Sequence, residues 1–536
     1  MHDLLTEPLI GVRLTNAEDS LCLPALLAAL SAGEVEAYTG LRPHQADPWH
    51  VFLVQLAASI QARRPTEELS SDPSYWRDGL LDLSDGIDTA WHLVVEDVTK
   101  PAFLQHPWIS WEAEAADFGV KQTRRGVMYT PKASAPDELD VLVTAKNHDV
   151  KMARFQADVV DAWLYALLVL QTTSGVLGAG NYGIIRMNAG VASRPVIAWA
   201  RSLNPSVRFV DEVRMLHGLR RQTCRDFHYA SRGLVLTWLT RWDRANHYCL
   251  CSDLEPWFIE SCRLVRLLKA CDGSLCALGA TTKARQIGPK TIENGDVGDP
   301  WIPINVEDKK KGRSALTLSA DGLSPQRLSD LLFEQGFELT AMQRPRPGEG
   351  AGWFVASCLV RGQGTTEGFH RIELPVPAKA RLALLNKQHK DTLAMLAQQL
   401  LSDTKEVQRT LSAAFTFLIE GGPAKADFDR GAVKRWVDSH RALFVTRWAH
   451  VFFPTLWRGA DEAHDALRKE WRQRLVNEAQ SLFDDAVMRL PTPSNRGWRA
   501  VVRAQNALRG MLGKLGLPTP AITSAEPTDS TDEEMV

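Results

Sequence analysis

Trp353-Phe354-Val355-Ala356-Ser357-Cys358-Leu359-Val360, then Arg361-Gly362-Gln363-Gly364-Thr365-Thr366-Glu367-Gly368, then Arg371-Ile372-Glu373-Leu374: two extended runs meet across a glutamine held between glycines. Branched and aromatic residues on both sides of a glycine cluster predict a strand, a turn and a returning strand. Glycine on each side of Gln363 removes Cβ bulk and opens backbone conformations closed to other residues. Gln363 carries a donor and an acceptor on a short flat amide. One reading is a plain hairpin turn. The other is a slim tip that slips a planar side chain between or beside base pairs.

Outward from this hairpin the chain divides by character. Up to residue 375, short helical and strand-like runs alternate with glycine- and proline-containing loops. Residues 20–32 and 49–62 read as helices. Residues 155–172 read as a helix apolar nearly all round, as a core helix must be. Residues 254–269 read as a further helix, with Pro256 tolerated in its first turn. The stretches 182–200, 275–290, 314–320 and 351–375 look extended. There is no regular strand–helix–strand rhythm, so a doubly wound sheet is not expected.

After Pro375-Val376-Pro377 the periodicity becomes helical over 378–402, 404–420, 430–452, 461–489 and 495–515. Breaks are expected at Gly421-Gly422-Pro423, Pro454, Gly459, Pro491 and Pro493. Long helices with short breaks predict an antiparallel bundle, with Trp436, Trp448, Trp457, Trp471 and Trp498 filling its core and grooves. From Pro518 to Val536 the chain holds Glu526, Asp529, Asp532, Glu533 and Glu534 and no basic residue, the composition of a disordered tail. The expected fold class is α+β: a large mixed α/β N-terminal domain (1–375), a helical bundle (376–517) and an acidic tail (518–536).

A chain of 536 residues with 45% apolar and 24% charged residues folds as a soluble multidomain protein. Its net charge of −2 means that any nucleic-acid role rests on local basic patches. The start, Met1-His2-Asp3-Leu4-Leu5, has no basic region followed by an apolar run, and the apolar stretch from Val159 to Leu170 is too short to span a bilayer. A cytoplasmic location and no membrane contact are expected. The eight cysteines need no disulfides there. His247, Cys249, Cys251, Cys271 and Cys276 invite a zinc reading, but their spacings are not those of paired knuckles; buried free thiols are expected instead. No metal-ligand spacing, nucleophile elbow or Walker pair is present, so neither a cofactor nor a catalytic residue is expected.

Three further loops stand out. Gly175-Val176-Leu177-Gly178-Ala179-Gly180-Asn181-Tyr182-Gly183 follows the apolar helix directly. Its order, helix then glycines then an extended run, is the reverse of a dinucleotide fingerprint, and no Gly-Lys-Ser/Thr closes it as a phosphate loop. Thr144-Ala145-Lys146-Asn147-His148-Asp149-Val150-Lys151 can hydrogen-bond a sugar-phosphate backbone; a nuclease reading with His148 as base is the alternative. Asp308-Lys309-Lys310-Lys311-Gly312-Arg313 is a basic turn whose lysines could reach base acceptors in a groove. In the helical region Arg496, Arg499 and Arg503 share one face, and Arg468, Lys469, Arg472 and Arg474 add charge, either to track DNA phosphates or as ordinary surface.

In this order the segments resemble CasA, the large subunit of the type I-E CRISPR surveillance complex Cascade. The stretches that carry the resemblance are Pro101-Ala102-Phe103-Leu104-Gln105, Lys146 to Lys151, Asn181-Tyr182-Gly183 through Arg186-Met187-Asn188, Ser193-Arg194-Pro195, Phe258-Ile259-Glu260 through Arg266-Leu267, Gly298-Asp299-Pro300-Trp301, Ala315-Leu316-Thr317 and Arg361 to Gly364. The resemblance spans most of 1–375, and the remainder fits the family's helical bundle.

It implies a non-catalytic subunit that meets the protospacer-adjacent motif (PAM) of double-stranded target DNA from the minor groove. Gln363, flanked by Gly362 and Gly364, stands where the family has a glutamine wedge. Gly178, Gly180, Asn181, Tyr182 and Gly183, with Arg186 just beyond, stand at the glycine loop. Lys309, Lys310 or Lys311 matches the lysine finger. Lys146, Asn147 and His148 match the loop that touches the crRNA 5′ handle. The implied partners are target DNA, the crRNA handle, the backbone, small and handle-binding subunits of the complex, and a helicase-nuclease. Two departures from the family are the Gly-Ala-Gly-Asn-Tyr-Gly sequence, where some members have a denser glycine run with a basic residue, and the glycine flanks of Gln363. A metal-dependent nuclease subunit and a purely structural scaffold are the competing function classes.

Overall fold

The computed structural model describes residues 2–108, 130–140, 160–178, 180–187, 193–242, 249–270, 272–282, 285–288, 293–308, 312–318, 322–348, 350–362, 365–489 and 495–516. The chain forms two compact units, Met1–Arg381 and Leu382–Val536. The fold is α+β, a mixed α/β N-terminal unit followed by a helical C-terminal one.

The first unit opens with β1 (Ile10–Leu14) and β2 (Glu18–Leu21), an antiparallel pair, and β3 (Val35–Tyr38) on the other edge of β1. Between them runs α1 (Leu23–Ala32), which ends at Gly33 in a left-handed conformation (φ 84°). That conformation costs an L-residue strain and glycine nothing. Next comes α2 (Pro43–Arg63), almost entirely buried, with a proline in its first turn. Then follow α3 (Pro73–Leu83), β4 (Thr130–Ala133), α4 (Pro136–Leu139), α5 (Val160–Thr173), β5 (Val196–Ala200) and α6 (Pro205–Asp226). The core gathers around α2 and α5, where Trp49 meets Tyr165 edge to face at 5.3 Å and Phe52 meets Phe103 at 5.7 Å.

Four further groups of strands surround this core. β6 (Leu234–Leu236) pairs in parallel with β7 (Leu254–Ile259). β8 (Leu264–Lys269) pairs with β9 (Leu275–Ala280), whose other edge takes β4. β10 (Ile304–Asp308) lies between β11 (Gly312–Ala315) and β12 (Phe337–Glu338), with α7 (Pro325–Leu332) intervening in sequence. Last comes the long hairpin of β13 (Gly352–Gly362) and β14 (Thr365–Val376), in register from Gly352↔Val376 to Gly362↔Thr365, with β5 along the far edge of β13. The hairpin predicted from the opening stretch is therefore formed.

The expected helix over 254–269 is not. It is two strands, β7 and β8, separated by Glu260-Ser261-Cys262-Arg263. Every residue of β7 is buried, and a run buried on both faces carries no period that separates strand from helix. Among the described residues of the stretch 182–200, strand begins at Val196. The 22-residue helix α6 was not expected, although Phe209, Val213 and Leu216 form a short buried stripe at i, i+4 and i+7; its start is set by Asn204, whose side chain accepts from Val207 N at 3.1 Å, and by Pro205.

The second unit comprises α9 (Lys387–Glu420), α10 (Gly431–Arg458), α11 (His464–Arg489) and α12 (Asn495–Lys514), preceded by α8 (Ala378–Leu385). The two segments expected over 378–402 and 404–420 are broken elsewhere: α9 runs unbroken through Asp403, which is buried and held by Arg468 on α11 at 2.7 and 2.8 Å. Pro454 does not end α10, which continues to Arg458. Gly459 closes it where a Cβ would lie 2.5 Å from Leu396 Cδ2. Trp448, Trp457 and Trp471 are core as expected, the last donating from Nε1 to Leu400 O at 3.0 Å. Trp498 is not; it is 72% exposed. No helix among the described residues is long and apolar enough to cross a membrane.

Candidate nucleic-acid interface

Thr173 closes α5, and the chain then leaves for the glycine loop and returns at Ser193 and Arg194. Both returning residues bond into the frame: Arg194 N donates to Thr173 O at 2.9 Å and Ser193 N donates to Leu359 O on β13 at 3.4 Å. The root of the glycine loop and the outer third of the long hairpin thus share one short backbone network. From Leu359 to Gly362 is three residues, about 10 Å of extended strand.

The loop is held from beneath by buried charge. Arg263, at the entrance to β8, donates to Gly175 O at 2.6 Å and also to Tyr182 O, bridging the two arms of the loop. Glu260 accepts from Ile185 N with both carboxylate oxygens, each at 2.9 Å. Burial pushes the Glu260 carboxyl up to about 7, against the pull of nearby Arg186 and the Ile185 amide. Asp299 pairs with Arg186 at 2.9 Å and with Arg194 at 2.6 Å, and so ties the outgoing chain to the returning chain. The Arg186 guanidinium lies 3.7 Å from the centre of the Phe258 ring. Grouped with the DNA-contacting residues in the sequence reading, Arg186 is 3% exposed and its charge is spent inside the protein. It supports the loop from within.

The glycines serve two different needs. A Cβ at Gly183 would lie 2.6 Å from the Gly175 carbonyl carbon and 2.9 Å from Ser174 O. At Gly180 (φ 78°) it would lie 2.7 Å from Thr281 Cβ. These two let the loop fold on itself and on the chain after β9, where Thr282 N donates to Gly180 O at 2.9 Å. Gly178 (φ 97°) has open space around it and is exposed, at the tip of a turn closed by Leu177 N to Asn181 O (2.9 Å) and Asn181 N to Gly178 O (3.1 Å). Asn181 and Tyr182 are half-buried on its flank.

The lysine turn is the connection between β10 and β11, which pair up to Asp308↔Gly312. Lys309, Lys310 and Lys311 lie outside the described residues; at the other end of their hairpin Gly295 is wedged between β11 and the chain that follows the glycine loop, where a Cβ would lie 2.8 Å from Ala315 Cβ and 2.8 Å from the Met187 carbonyl carbon. Gln363 and Gly364 also lie outside the described residues, as do Lys146, Asn147 and His148. The chain enters that last segment from Asp140, which is fully buried and accepts from His44 Nε2 at 2.7 Å and Gln45 Nε2 at 2.7 Å. Arg499 is exposed on α12; Arg503 donates to Gly421 O at 3.2 Å, capping the end of α9; the Arg496 side chain is outside the description.

The residues that sequence reasoning missed are the buried supports: Arg263, Glu260, Asp299 and Asp140. Their partners lie far along the chain, 88 residues in the case of Arg263 and Gly175 and 96 in the case of Asp140 and His44. No local spacing reports such pairs. A charged residue inside or at the edge of an apolar run, as Arg266 and Arg263 are around Leu264-Val265, was the one available signal.

No family model and no curated protein matches the sequence. Solved structures do match. Cse1 from Acidimicrobium ferrooxidans, a CRISPR-associated protein, superposes with a TM-score of 0.61 at 14% identity, covering 96% of this chain and 98% of that one. A CRISPR-associated protein from Thermus thermophilus gives 0.60 at 16% identity, with 96% and 99% covered. CasA from Thermus thermophilus gives 0.57 at 15% identity, with the same coverage. Over 96% of its length, this chain has the fold of the Cse1/CasA proteins.

Proposed function

We propose that this chain is the large subunit of a type I-E CRISPR RNA-guided surveillance complex, where it recognises the PAM of double-stranded DNA and starts strand separation without catalysing a reaction. The observation that carries the reading is the common root of two tips: Ser193 N bonds Leu359 O while Arg194 N bonds Thr173 O. Charged supports beneath the loop are buried, so its outer side offers the backbone at Gly178 with Leu177, Asn181 and Tyr182 beside it to a ligand.

The chemistry is consistent with that division of labour. In RNA-guided effectors, pairing with the guide reads the long sequence and protein reads only a short duplex motif. Gly178 at an exposed turn lets a backbone approach a groove floor closely. Minor-groove readout is degenerate, so several motifs are accepted. One of Lys309, Lys310 and Lys311 donates to base acceptors, and Gln363 at the hairpin tip unstacks one base step at a cost of a few kcal/mol, which guide pairing offsets. Asn147, with Lys146 and His148, contacts the crRNA 5′ handle, and the assembled complex recruits a helicase-nuclease.

The test is binding of the assembled complex to a library of duplexes with randomised PAM. The expected result is enrichment of a small set of motifs, and with Gln363→Ala a loss of strand opening while motif binding persists. Strand opening by Gln363→Ala equal to that of the unaltered protein overturns the wedge; no motif enrichment at all overturns the recognition role and leaves a scaffold. Metal-dependent cleavage by the isolated chain, lost in His148→Ala, would instead establish a nuclease.

A further inference from the structure

On the helical unit, α9 and α10 bound a groove of about 410 Å³, the size that takes a few residues of peptide or a small ligand. Lys405 and Arg409 line one wall, at i and i+4 on α9; Lys434 and Arg441 line the other, at i and i+7 on α10. Asp438 is the one acid in the lining, and it is paired with Arg441 at 3.2 Å. Four cations against one carboxylate leave a charge of +3 (4 − 1) around the groove. Among the described residues no carboxylate pairs with Lys405, Arg409 or Lys434. Phe428, 55% exposed, adds an apolar wall at one end. Exposed like charges set this close repel each other and favour any polyanion that enters.

The same chain carries such a polyanion. Beyond Gly516 it holds five carboxylates, Glu526, Asp529, Asp532, Glu533 and Glu534, and no lysine or arginine. Its point of departure is fixed: Leu515 O accepts from Arg472 at 3.0 Å, and Arg472 lies 3.6 Å from Asp403 on α9. The chain therefore leaves the bundle level with Asp403, and Lys405 is two residues further along the same helix, about 3 Å along its axis but on the other side. Glu526 is ten residues past Gly516, a reach of up to ~35 Å, whereas a helix is ~10–12 Å across. A tethered ligand of this kind acts at an effective concentration in the millimolar range.

We infer that the acidic segment 526–534 docks in the α9–α10 groove, its carboxylates against Lys405, Arg409 and Lys434, and so keeps free polyanions out of it. The inference stands apart from the role given to the hairpin and loops of the first unit. Nucleic acid is the rival occupant, with the same negative charge, but it comes from solution and lacks the tether.

The experiment is zero-length carboxyl-to-amine crosslinking of the full chain with a carbodiimide, followed by peptide mapping. Amide links from the tail acids to Lys405 and Lys434 are expected in excess of links to Lys469, which lies on α11 near the tail's exit. Arg409→Gln, which leaves both lysines in place, should cut that yield by about two- to fivefold, the range of one exposed ion pair; 0.5 M salt should do likewise. In a second arm, neutralising all five tail acids to amides should let a fluorescent single-stranded oligonucleotide bind roughly fivefold more tightly, a gain that Arg409→Gln cancels. Links to Lys469 as abundant as those to Lys405 and Lys434, no links at all, or yields that Arg409→Gln does not move overturn the inference. So does an oligonucleotide affinity indifferent to the tail's charge; if Arg409→Gln also weakens that binding, the groove is assigned to nucleic acid.

Discussion

Arg371 on β14 donates from Nε to Asp47 on α2 at 2.9 Å, joining residues 324 apart in sequence. Asp47 also accepts from Arg208 on α6 at 3.2 Å, and Arg208 reaches Glu212, which accepts from Trp301 Nε1 at 3.1 Å. The middle of the long hairpin, where Arg371 faces Ser357, is thereby fixed to the core helix by a largely buried charged network as well as by strand pairing. A pair of this kind lends orientation more than net stability, because desolvating the charges offsets their attraction.

Removing one member is a different matter. Asp47→Ala leaves Arg208, 6% exposed, without one of its two carboxylates, and costs about 3–5 kcal/mol by the usual measure for breaking a buried pair. The Arg371 side chain is 30% exposed, and Arg371→Gln leaves Asp47 paired with Arg208, so its cost is below half of that. Denaturant midpoints at pH 7 compare the two; equal losses would show that the network does not centre on Asp47.

Stability should fall on both sides of a mildly acidic optimum. Burial pushes the Asp47 carboxyl up, but Arg208 and Arg371 together hold it down at about 2; for Glu212, His50 and Arg208 outweigh burial and give about 2 also. Groups with depressed values contribute stability above their ordinary range, near 4, that is lost as pH falls through 2. Glu260 and Glu255 run the other way: burial raises both to about 7, so their contribution is complete below about 4.5 and lost as pH rises through 7. Glu260→Gln keeps an acceptor for Ile185 N and has no charge to lose. Its unfolding free energy should decline less between pH 5 and 8 than that of the unaltered protein, and parallel curves would refute the assignment.

How much of this was legible in the sequence depends on whether the signal was local. The hairpin read correctly because branched and aromatic runs either side of Gly362–Gly364 carry their own turn. The bundle read correctly because its helices are long and polar-faced, although Pro454 misled: it lies one turn from the end of α10, where it removes one backbone donor without ending the helix. Residues 254–269 misread because burial on both faces erased the period. The glycine loop was visible as composition, but its supports were not, since Arg263, Glu260 and Asp299 act across long gaps. Arg186 illustrates the limit: beside a glycine loop an arginine reads as a ligand contact, and only Asp299 and Phe258 reveal it as buried.

The glycines of the loop are separable by substitution. Gly183→Ala drives a Cβ to 2.6 Å from the Gly175 carbonyl carbon, which is backbone and cannot rotate away; about 1–3 kcal/mol of overpacking follows. Gly178→Ala meets nothing and carries only the strain of a left-handed φ, about 1–2 kcal/mol, which an exposed turn relieves in part. Gly183→Ala should therefore lower the thermal midpoint more, while Gly178→Ala, if the proposed DNA contact is right, should weaken motif binding with the midpoint nearly kept. The reverse ranking of midpoints would rule out this division of roles.

Arg263 offers the sharpest probe of loop order. Its guanidinium is buried and bridges Gly175 O and Tyr182 O. Arg263→Ala leaves both carbonyls without that donor, and each buried unpaired group costs about 1–3 kcal/mol unless the loop opens to water. Opening is the cheaper course, because among the described residues the turn beyond is held by three backbone bonds, Leu177 N to Asn181 O, Asn181 N to Gly178 O and Thr282 N to Gly180 O. Amide hydrogen exchange should then accelerate at Leu177 and Asn181, while Ile197, bonded to Trp301 O at 3.0 Å, keeps its protection. Faster exchange at all three would mean that Arg263 holds up the whole unit; unchanged exchange at Leu177 and Asn181 would mean that the loop stands without it.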